Sequence, residues 1–171
     1  MGGNGILPLD LRYISTTNQN MSGLLGEFEV NMDPKGRLKV PSALIKQLSA
    51  EDNARFVITR GFEKCLVLYP FSEWQKVSAR LNGLNMFVKK NRDFVRYFMS
   101  GATELTLDSS ERVLVPKPLQ AYAGITKEIV LSAFQGKVEI WDKDQYTSVI
   151  DMQSDDFAGL AEEVMGDTPD E

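Results

Sequence analysis

The sequence predicts an α+β fold in which two similar units of strands and short helices form one pseudo-two-fold barrel, with helices packed outside. The first reason is an internal repeat: the most distinctive stretch of the 171-residue chain occurs twice, 75 residues apart. The second is the alternation of apolar and polar residues in each copy, which is typical of strands with one buried face. The third is size, because a unit of about 50 residues buries little surface alone and favours a core shared by two units.

The repeat is carried by Asp33-Pro-Lys-Gly-Arg-Leu-Lys-Val-Pro41 and by Asp108-Ser-Ser-Glu-Arg-Val-Leu-Val-Pro116. Asp, Arg and Pro occupy the same three positions in both stretches. The similarity extends well beyond the two prolines, so it covers almost the whole of both units. The further matches are 56–59 with 129–132, 66–69 with 138–141, and Trp74 with Tyr146.

Each copy predicts a strand, a tight turn and a returning strand. In the first copy Phe28, Val30 and Met32 alternate with polar residues, and the Asp-Pro-Lys-Gly that follows has the residues of a turn. Pro41 ends the returning strand, because it has no N–H to donate to a partner strand. Ser42 is placed to cap a short helix.

The rest of the first unit consists of strands near 55–60 and 65–69, followed by helices. Ser72 and Gln75 form a capping box that predicts a helix start, and Asn82-Gly83 ends that helix. Another helix is predicted at about 86–99, and the last one is capped by Ser154 and stopped by Gly166. The predicted organisation is a disordered extension (1–24), a first unit (25–70), a helical connection (71–100), a second unit (101–142), C-terminal helices (143–166) and an acidic tail (167–171).

The net charge of −5 is unevenly distributed along the chain. Residues 26–100 carry 13 Lys and Arg against 8 Asp and Glu, a balance of +5. Residues 101–150 carry 5 against 7, a balance of −2, and residues 151–171 carry eight acidic residues and no basic one. The first repeat is therefore the part of the chain suited to a polyanionic partner.

Several functions are disfavoured by what the sequence lacks. There is no histidine, and Cys65 is the one cysteine, so the commonest general base and the commonest metal ligands are missing. We therefore expect no enzyme activity, no cofactor, no metal and no small-molecule substrate. No apolar run is long enough to span a membrane, the first residues lack the pattern of a signal peptide, and a single cysteine fits a reducing cytoplasm.

The Asp-x-x-x-Arg turn, the Val-Pro close, the short helix and their tandem repetition resemble the MraZ family over roughly residues 25–165. This resemblance implies two AbrB/SpoVT-type swapped-hairpin units. It implies a cytoplasmic, nucleoid-associated transcriptional regulator that binds double-stranded DNA at promoter repeats ahead of the division and cell-wall gene cluster. It also implies a closed homo-oligomeric ring, either an octamer or a dodecamer.

The candidate DNA-binding residues all come from the repeated motif. A two-stranded ribbon fits the major groove, where Arg is suited to a bidentate contact with guanine. Phosphates would be neutralised by lysines, a glycine would let the backbone come close to the DNA, and each Asp would hold its Arg. The candidates for reading bases are Arg37 and Arg112, and the candidates for phosphate contacts are Lys35 and Lys39. Gly36 is the candidate for close approach of the backbone, and Asp33 and Asp108 are the supporting carboxylates.

Two alternatives remain open from the residues themselves. The Asp–Arg pairs could be turn ion pairs that only fix the hairpins, since exposed pairs of this kind are common and weak. In the second copy Glu111 replaces the glycine of the family pattern, and an acid there repels phosphate and competes for the Arg112 guanidinium. The alternative function is a non-enzymatic ring-forming assembly protein that has weak DNA binding or none.

Overall fold

The computed structural model describes residues 23–166, and its strands follow the predicted repeat closely. Every strand is antiparallel to the strands with which it pairs. The strands are β1 (Gly26–Asn31), β2 (Arg37–Lys39), β3 (Arg55–Arg60), β4 (Leu66–Pro70), β5 (Thr103–Thr106), β6 (Arg112–Leu114), β7 (Glu128–Phe134) and β8 (Lys137–Asp142).

Short helices follow the strands in each unit, and a 3-10 turn, Ala50–Asp52, precedes β3. The helices are α1 (Ser42–Ile45), α2 (Phe71–Asn82), α3 (Lys89–Met99), α4 (Lys117–Ala123), α5 (Lys143–Val149) and α6 (Ser154–Met165). The predicted breaks at Asn82-Gly83 and at Gly166 are confirmed. Across residues 23–166, none of these helices is both long enough and apolar enough to cross a membrane.

The strands form one six-stranded sheet in the order β1-β7-β8-β4-β3-β5 and a separate two-stranded ribbon of β2 and β6. The six-stranded sheet is open, because β1 and β5 are its two edges and do not pair with each other. The α+β class is confirmed, whereas the expected pseudo-two-fold barrel is not confirmed in its detail, because the sheet is not closed. The short motif strands leave the main sheet after their turns and pair with each other in the ribbon.

The two units exchange their first strands. Strand β1 of the first unit pairs with β7 of the second, and β5 of the second pairs with β3 of the first. The registers correspond residue by residue: Val30 faces Ile129 in one pair, and its counterpart Leu105 faces Phe56 in the other. Neither unit can complete its sheet without the other, so both form around a single core.

The core is built from the inward faces of the main sheet and the ribbon, together with α1 and α4. Two aromatic pairs repeat with the units: Tyr69 packs on Trp74, and Trp141 packs on Tyr146. Leu24 is only 4% exposed and belongs to this core, so the disordered extension predicted for residues 1–24 is wrong at its last residue. Residues 1–22 of that extension and the predicted acidic tail lie outside the described residues.

The three predicted serine caps are wrong. Helices α1, α2 and α6 have no side-chain hydrogen bond at their N-caps, which are Pro41, Pro70 and Gln153. The start of α2 is instead capped from another segment, because the Ser72 N–H donates to Asp52 Oδ1 at 2.9 Å. The carboxylate thus satisfies a free N–H at the positive end of the helix, as a serine cap would have done.

Helices α3 and α6 differ in what they cover. The predicted apolar stripe of α3 packs through Phe98, which is buried and stacks on Trp74 and Phe94. The whole of α6 is exposed, including Phe157 and Val164. Its apolar side is therefore not buried by any other part of residues 23–166.

Candidate nucleic-acid interface

The β2–β6 ribbon divides its side chains between the core and the solvent. Leu38 and Val113 point inward and are almost completely buried. Their neighbours point the opposite way, because side chains alternate along a strand. The outward side chains are Arg37 opposite Leu114 and Lys39 opposite Arg112.

The first turn is organised by one carboxylate. Asp33 Oδ1 accepts the backbone N–H groups of Lys35 and Arg37 at 3.0 and 2.9 Å, and Oδ2 accepts Arg37 Nε at 2.7 Å. Because Asp33 binds Nε, the two Nη groups form the end of the guanidinium that lies away from the carboxylate. Neither Nη group has a protein hydrogen-bond partner within residues 23–166.

The second turn repeats this geometry. Asp108 Oδ1 accepts the N–H groups of Ser110 and Arg112 at 2.8 and 2.9 Å, and Oδ2 accepts Arg112 Nε at 3.0 Å. The ribbon edges match as well: Val40 N–H donates to the Glu111 carbonyl and Val115 N–H to the Gly36 carbonyl, both at 2.9 Å. Both arginines are thus presented in the same way on one ribbon.

These hydrogen bonds explain the electrostatics of the two turns. The N–H of Arg37 is the largest influence that holds the pKa of Asp33 below its usual value, and the Arg37 guanidinium adds to it. The N–H of Arg112 lowers the pKa of Asp108 in the same way. Both carboxylates are therefore ionised at neutral pH and keep the arginines oriented.

The two turns differ at their fourth position, where the backbone is left-handed in both copies. Gly36 has φ +85° and Glu111 has φ +61°, a conformation that costs a residue with a Cβ about 1–2 kcal/mol. A Cβ on Gly36 would lie 2.5 Å from Gln120 Nε2 of the same chain, so folding alone is a reason for glycine there. Glu111 does not occupy the Arg112 guanidinium, which pairs with Asp108 as expected. The Glu111 carboxylate instead lies 3.4 Å from Ser42 Oγ.

The remaining candidates are exposed around the ribbon. Lys35 lies on the first turn and Lys39 on the ribbon, directly opposite Arg112. Leu114, which was not among the predicted site residues, is 56% exposed among these cations. The signal was present, because Leu114 is 75 residues from Lys39 and so occupies the same position in the second copy.

Other kinds of site are poorly supported in the part of the chain that the structure describes. No group of three or more His, Cys, Asp or Glu side chains is arranged there to hold a metal ion. A cavity of about 420 Å³ is an open groove between α2 and α3 lined by Phe62, Leu84 and Phe94. Its lining is mainly apolar and carries no cluster of perturbed acids or bases.

Fold and ribbon together define a tandem-repeat α+β protein that displays two carboxylate-held arginines on one short ribbon. The sequence model described as "MraZ protein, putative antitoxin-like" matches residues 24–97 and again residues 98–167. The chain therefore belongs to the MraZ family.

Three relatives, each named Transcriptional regulator MraZ, are similar over most of their length. The protein of Christiangramia forsetii is 53% identical over 147 residues, which cover 85% of this chain and 95% of that protein. The protein of Flavobacterium psychrophilum is 46% identical over 152 residues, covering 88% and 97%. The protein of Cytophaga hutchinsonii is 39% identical over 146 residues, covering 85% and 97%.

Proposed function

We propose that this chain is a sequence-specific DNA-binding transcriptional regulator that reads its site with the β2–β6 ribbon. The observation that carries the proposal is the equal presentation of Arg37 and Arg112 by Asp33 and Asp108 on one two-stranded ribbon. A ribbon of this width enters the major groove, and the free Nη groups suit the O6 and N7 acceptors of guanine. The name that the relatives carry supports a role in transcription.

The charges around the ribbon favour a polyanion. Lys39 and Arg112 face each other directly, and like charges at opposite positions of a strand pair are destabilising until an anion approaches them. Lys35 extends the positive surface onto the first turn. In this proposal Lys35 and Lys39 contact phosphates. Gly36, expected to let the backbone come close to the DNA, is buried beside Gln120, so its contribution is the left-handed turn that presents Arg37.

By its family we assign the target to promoter repeats ahead of the division and cell-wall gene cluster, and the place of action to the cytoplasmic nucleoid. The test is fluorescence anisotropy with DNA from upstream of its own coding sequence and with a scrambled duplex of equal composition. We expect tighter binding to the natural sequence and an affinity that falls steeply with salt. Equal affinity for both duplexes would leave only the alternative, a ring-forming assembly protein.

We further propose that the units are of the swapped-hairpin type and that the chain assembles into a homo-oligomeric ring. The exchange of β1 and β5 supports the first point. Support for the second comes from the exposed apolar residues of α6 and of the α2–α3 connection, among them Phe157 and Phe87 at 65% and 96% exposure. Light scattering should give a multiple of the 19.2 kDa chain mass, and a monomer at micromolar concentration would disprove the ring.

A further inference from the structure

Leu114 is the one apolar side chain on the outward face of the β2–β6 ribbon. The other three outward positions, all within the described part of the chain, are the cations Arg37, Lys39 and Arg112. The repeat makes the contrast sharp, because the first copy has Lys39 where the second has Leu114. The outward face is therefore asymmetric although the backbone beneath it is symmetric.

The register fixes the neighbour of Leu114. It lies directly opposite Arg37, and opposite residues of an antiparallel pair share a face with their Cβ atoms about 4.5–5.5 Å apart. Successive base pairs are about 3.4 Å apart, so the two side chains would reach bases one or two steps from each other. The C5-methyl group of thymine is the apolar feature that the major groove offers at such a position.

We propose that Leu114 packs on the C5-methyl group of a thymine, one or two base pairs from the guanine that Arg37 contacts. This inference rests on the proposed function and adds a base preference to it. A lysine at position 114 would neutralise phosphate without discriminating between bases, whereas a leucine adds to the binding affinity only where a methyl group is present.

A second copy of the chain is the competing partner for Leu114, and the charges argue against it. A protein surface that buried Leu114 would also have to desolvate Arg37, which lies directly opposite. Lys39 and Arg112 form the next row of the same short ribbon. A DNA groove covers the leucine and satisfies the three cations at the same time.

The experiment compares thymine with uracil, which lacks only the methyl group. Footprinting first locates the protected segment of the upstream DNA, and each thymine in a duplex carrying that segment is then replaced by deoxyuridine. One replacement should weaken wild-type binding about three- to fivefold, the effect of one methyl group removed from an apolar contact. The same duplex should bind Leu114→Ala as well as the unmodified duplex does.

Two further variants serve as controls. Leu114→Lys introduces the residue that the first copy has at this position. This variant should bind the thymine and deoxyuridine duplexes equally, and the slope of its log affinity against log salt concentration should become steeper by about one. Leu25→Ala removes a leucine that is 71% exposed immediately before β1, at the end of that strand away from the ribbon, and should keep the full uracil effect.

The outcomes separate this inference from the function on which it rests. If wild type binds natural and scrambled DNA equally, the proposed function fails and this inference falls with it. The other case is that wild type prefers the natural DNA, but every thymine-to-deoxyuridine replacement that weakens wild-type binding also weakens binding of Leu114→Ala. In that case only the thymine contact is wrong. A change of oligomeric mass in Leu114→Ala would likewise overturn it, because Leu114 would then lie between subunits.

Discussion

Leu38 and Val113 face each other across the β2–β6 ribbon, and they are also each other's counterparts in the repeat. Equivalent residues can face each other only if the two copies are related by a two-fold axis that passes between them. Val67 and Glu139, also counterparts, face each other in the main sheet. One approximate two-fold axis therefore relates the units, and the ribbon lies on it.

The inner side of the ribbon keeps this symmetry, while the outer side has diverged. Leu38 and Val113 are both small enough and apolar enough to pack in the shared core. On the outside, Lys39 corresponds to Leu114, and on the turns Gly36 corresponds to Glu111. Packing constrains the inner residues, whereas the exposed residues Lys39 and Leu114 are free to differ.

The first prediction concerns the two arginines. Arg37→Ala should weaken specific DNA binding by about 1–3 kcal/mol, the scale of one good base contact. Arg112→Ala should weaken specific DNA binding less, because Glu111 precedes Arg112 and adds a negative charge beside the phosphates. Anisotropy titrations on a duplex with a single binding site would measure both, since losses multiply in an oligomer.

Thermal melts must accompany these titrations, because each arginine also closes a turn through its carboxylate partner. Lys35→Ala is a useful comparison: it should weaken binding to all sequences evenly and flatten the salt dependence by about one unit. Equal losses for Arg37→Ala and Arg112→Ala in folded proteins would mean that both copies read the DNA equally.

The second prediction exchanges the residues at the left-handed position. Glu111→Gly removes the strain of a side chain at φ +61° and should raise stability by up to about 1 kcal/mol, or about 2–4 °C in Tm. It should also tighten DNA binding, because an acid beside the ribbon disappears. Calorimetry and DNA titration measure the two effects separately.

Gly36→Ala is the matched control. It places a Cβ at φ +85° and 2.5 Å from Gln120 Nε2, so it should destabilise the chain by about 1–2 kcal/mol. If Glu111→Gly were destabilising, the Glu111–Ser42 contact at 3.4 Å would be worth more than the backbone strain.

The two motif turns and their returning strands could be predicted from the sequence because their signals are local. Alternation, turn residues and the 75-residue repeat all lie within a few residues of Arg37 or Arg112. The strand exchange was less accessible, since nothing in β1 itself indicates that it pairs with β7 rather than β3. The cap on α2 was missed for a similar reason: its acceptor, Asp52, is 20 residues away from Ser72.

The third prediction concerns Cys65, which is 1% exposed. Burial, reinforced by the negative charge of Glu139, raises the pKa of its thiol to about 12. The unfolded chain loses this proton from about pH 8.5 upward, whereas the native chain keeps it. Stability linked to Cys65 is therefore complete below about pH 8.5 and is lost as the pH rises toward 12.

Melting curves between neutral and alkaline pH would measure this loss, and Cys65→Ala should show a shallower decline. The comparison is needed because Tyr69 and Tyr146 also have raised pKa values and contribute to alkaline destabilisation. Identical alkaline slopes for wild type and Cys65→Ala would show that the thiol is accessible to solvent in the native protein.

The fourth prediction concerns Asp52, which is 3% exposed and joins two segments. Its Oδ1 accepts the Ser72 N–H at the start of α2, and its Oδ2 accepts Ser49 Oγ at 2.9 Å. Asp52→Ala leaves these donors without a partner and should destabilise the chain by about 1–3 kcal/mol. Glu51→Ala, an exposed acid next to it, should change stability by less than about 0.5 kcal/mol.

The pH dependence tests the charge of Asp52 separately from its geometry. Burial alone would raise the pKa of Asp52, but the hydrogen bonds from Ser72 and Ser49 outweigh it and hold the pKa below its usual value. A carboxylate with a lowered native pKa stabilises the fold above its unfolded pKa of about 3.9, and this stabilisation is lost as the pH falls further. Asp52→Asn keeps an acceptor oxygen but not the charge, so its unfolding free energy should decline less steeply below about pH 4 than that of wild type. Urea titrations at several acidic pH values give both slopes; equal slopes would mean that Asp52 caps α2 only through hydrogen bonds, without a contribution from its charge at the helix N-terminus.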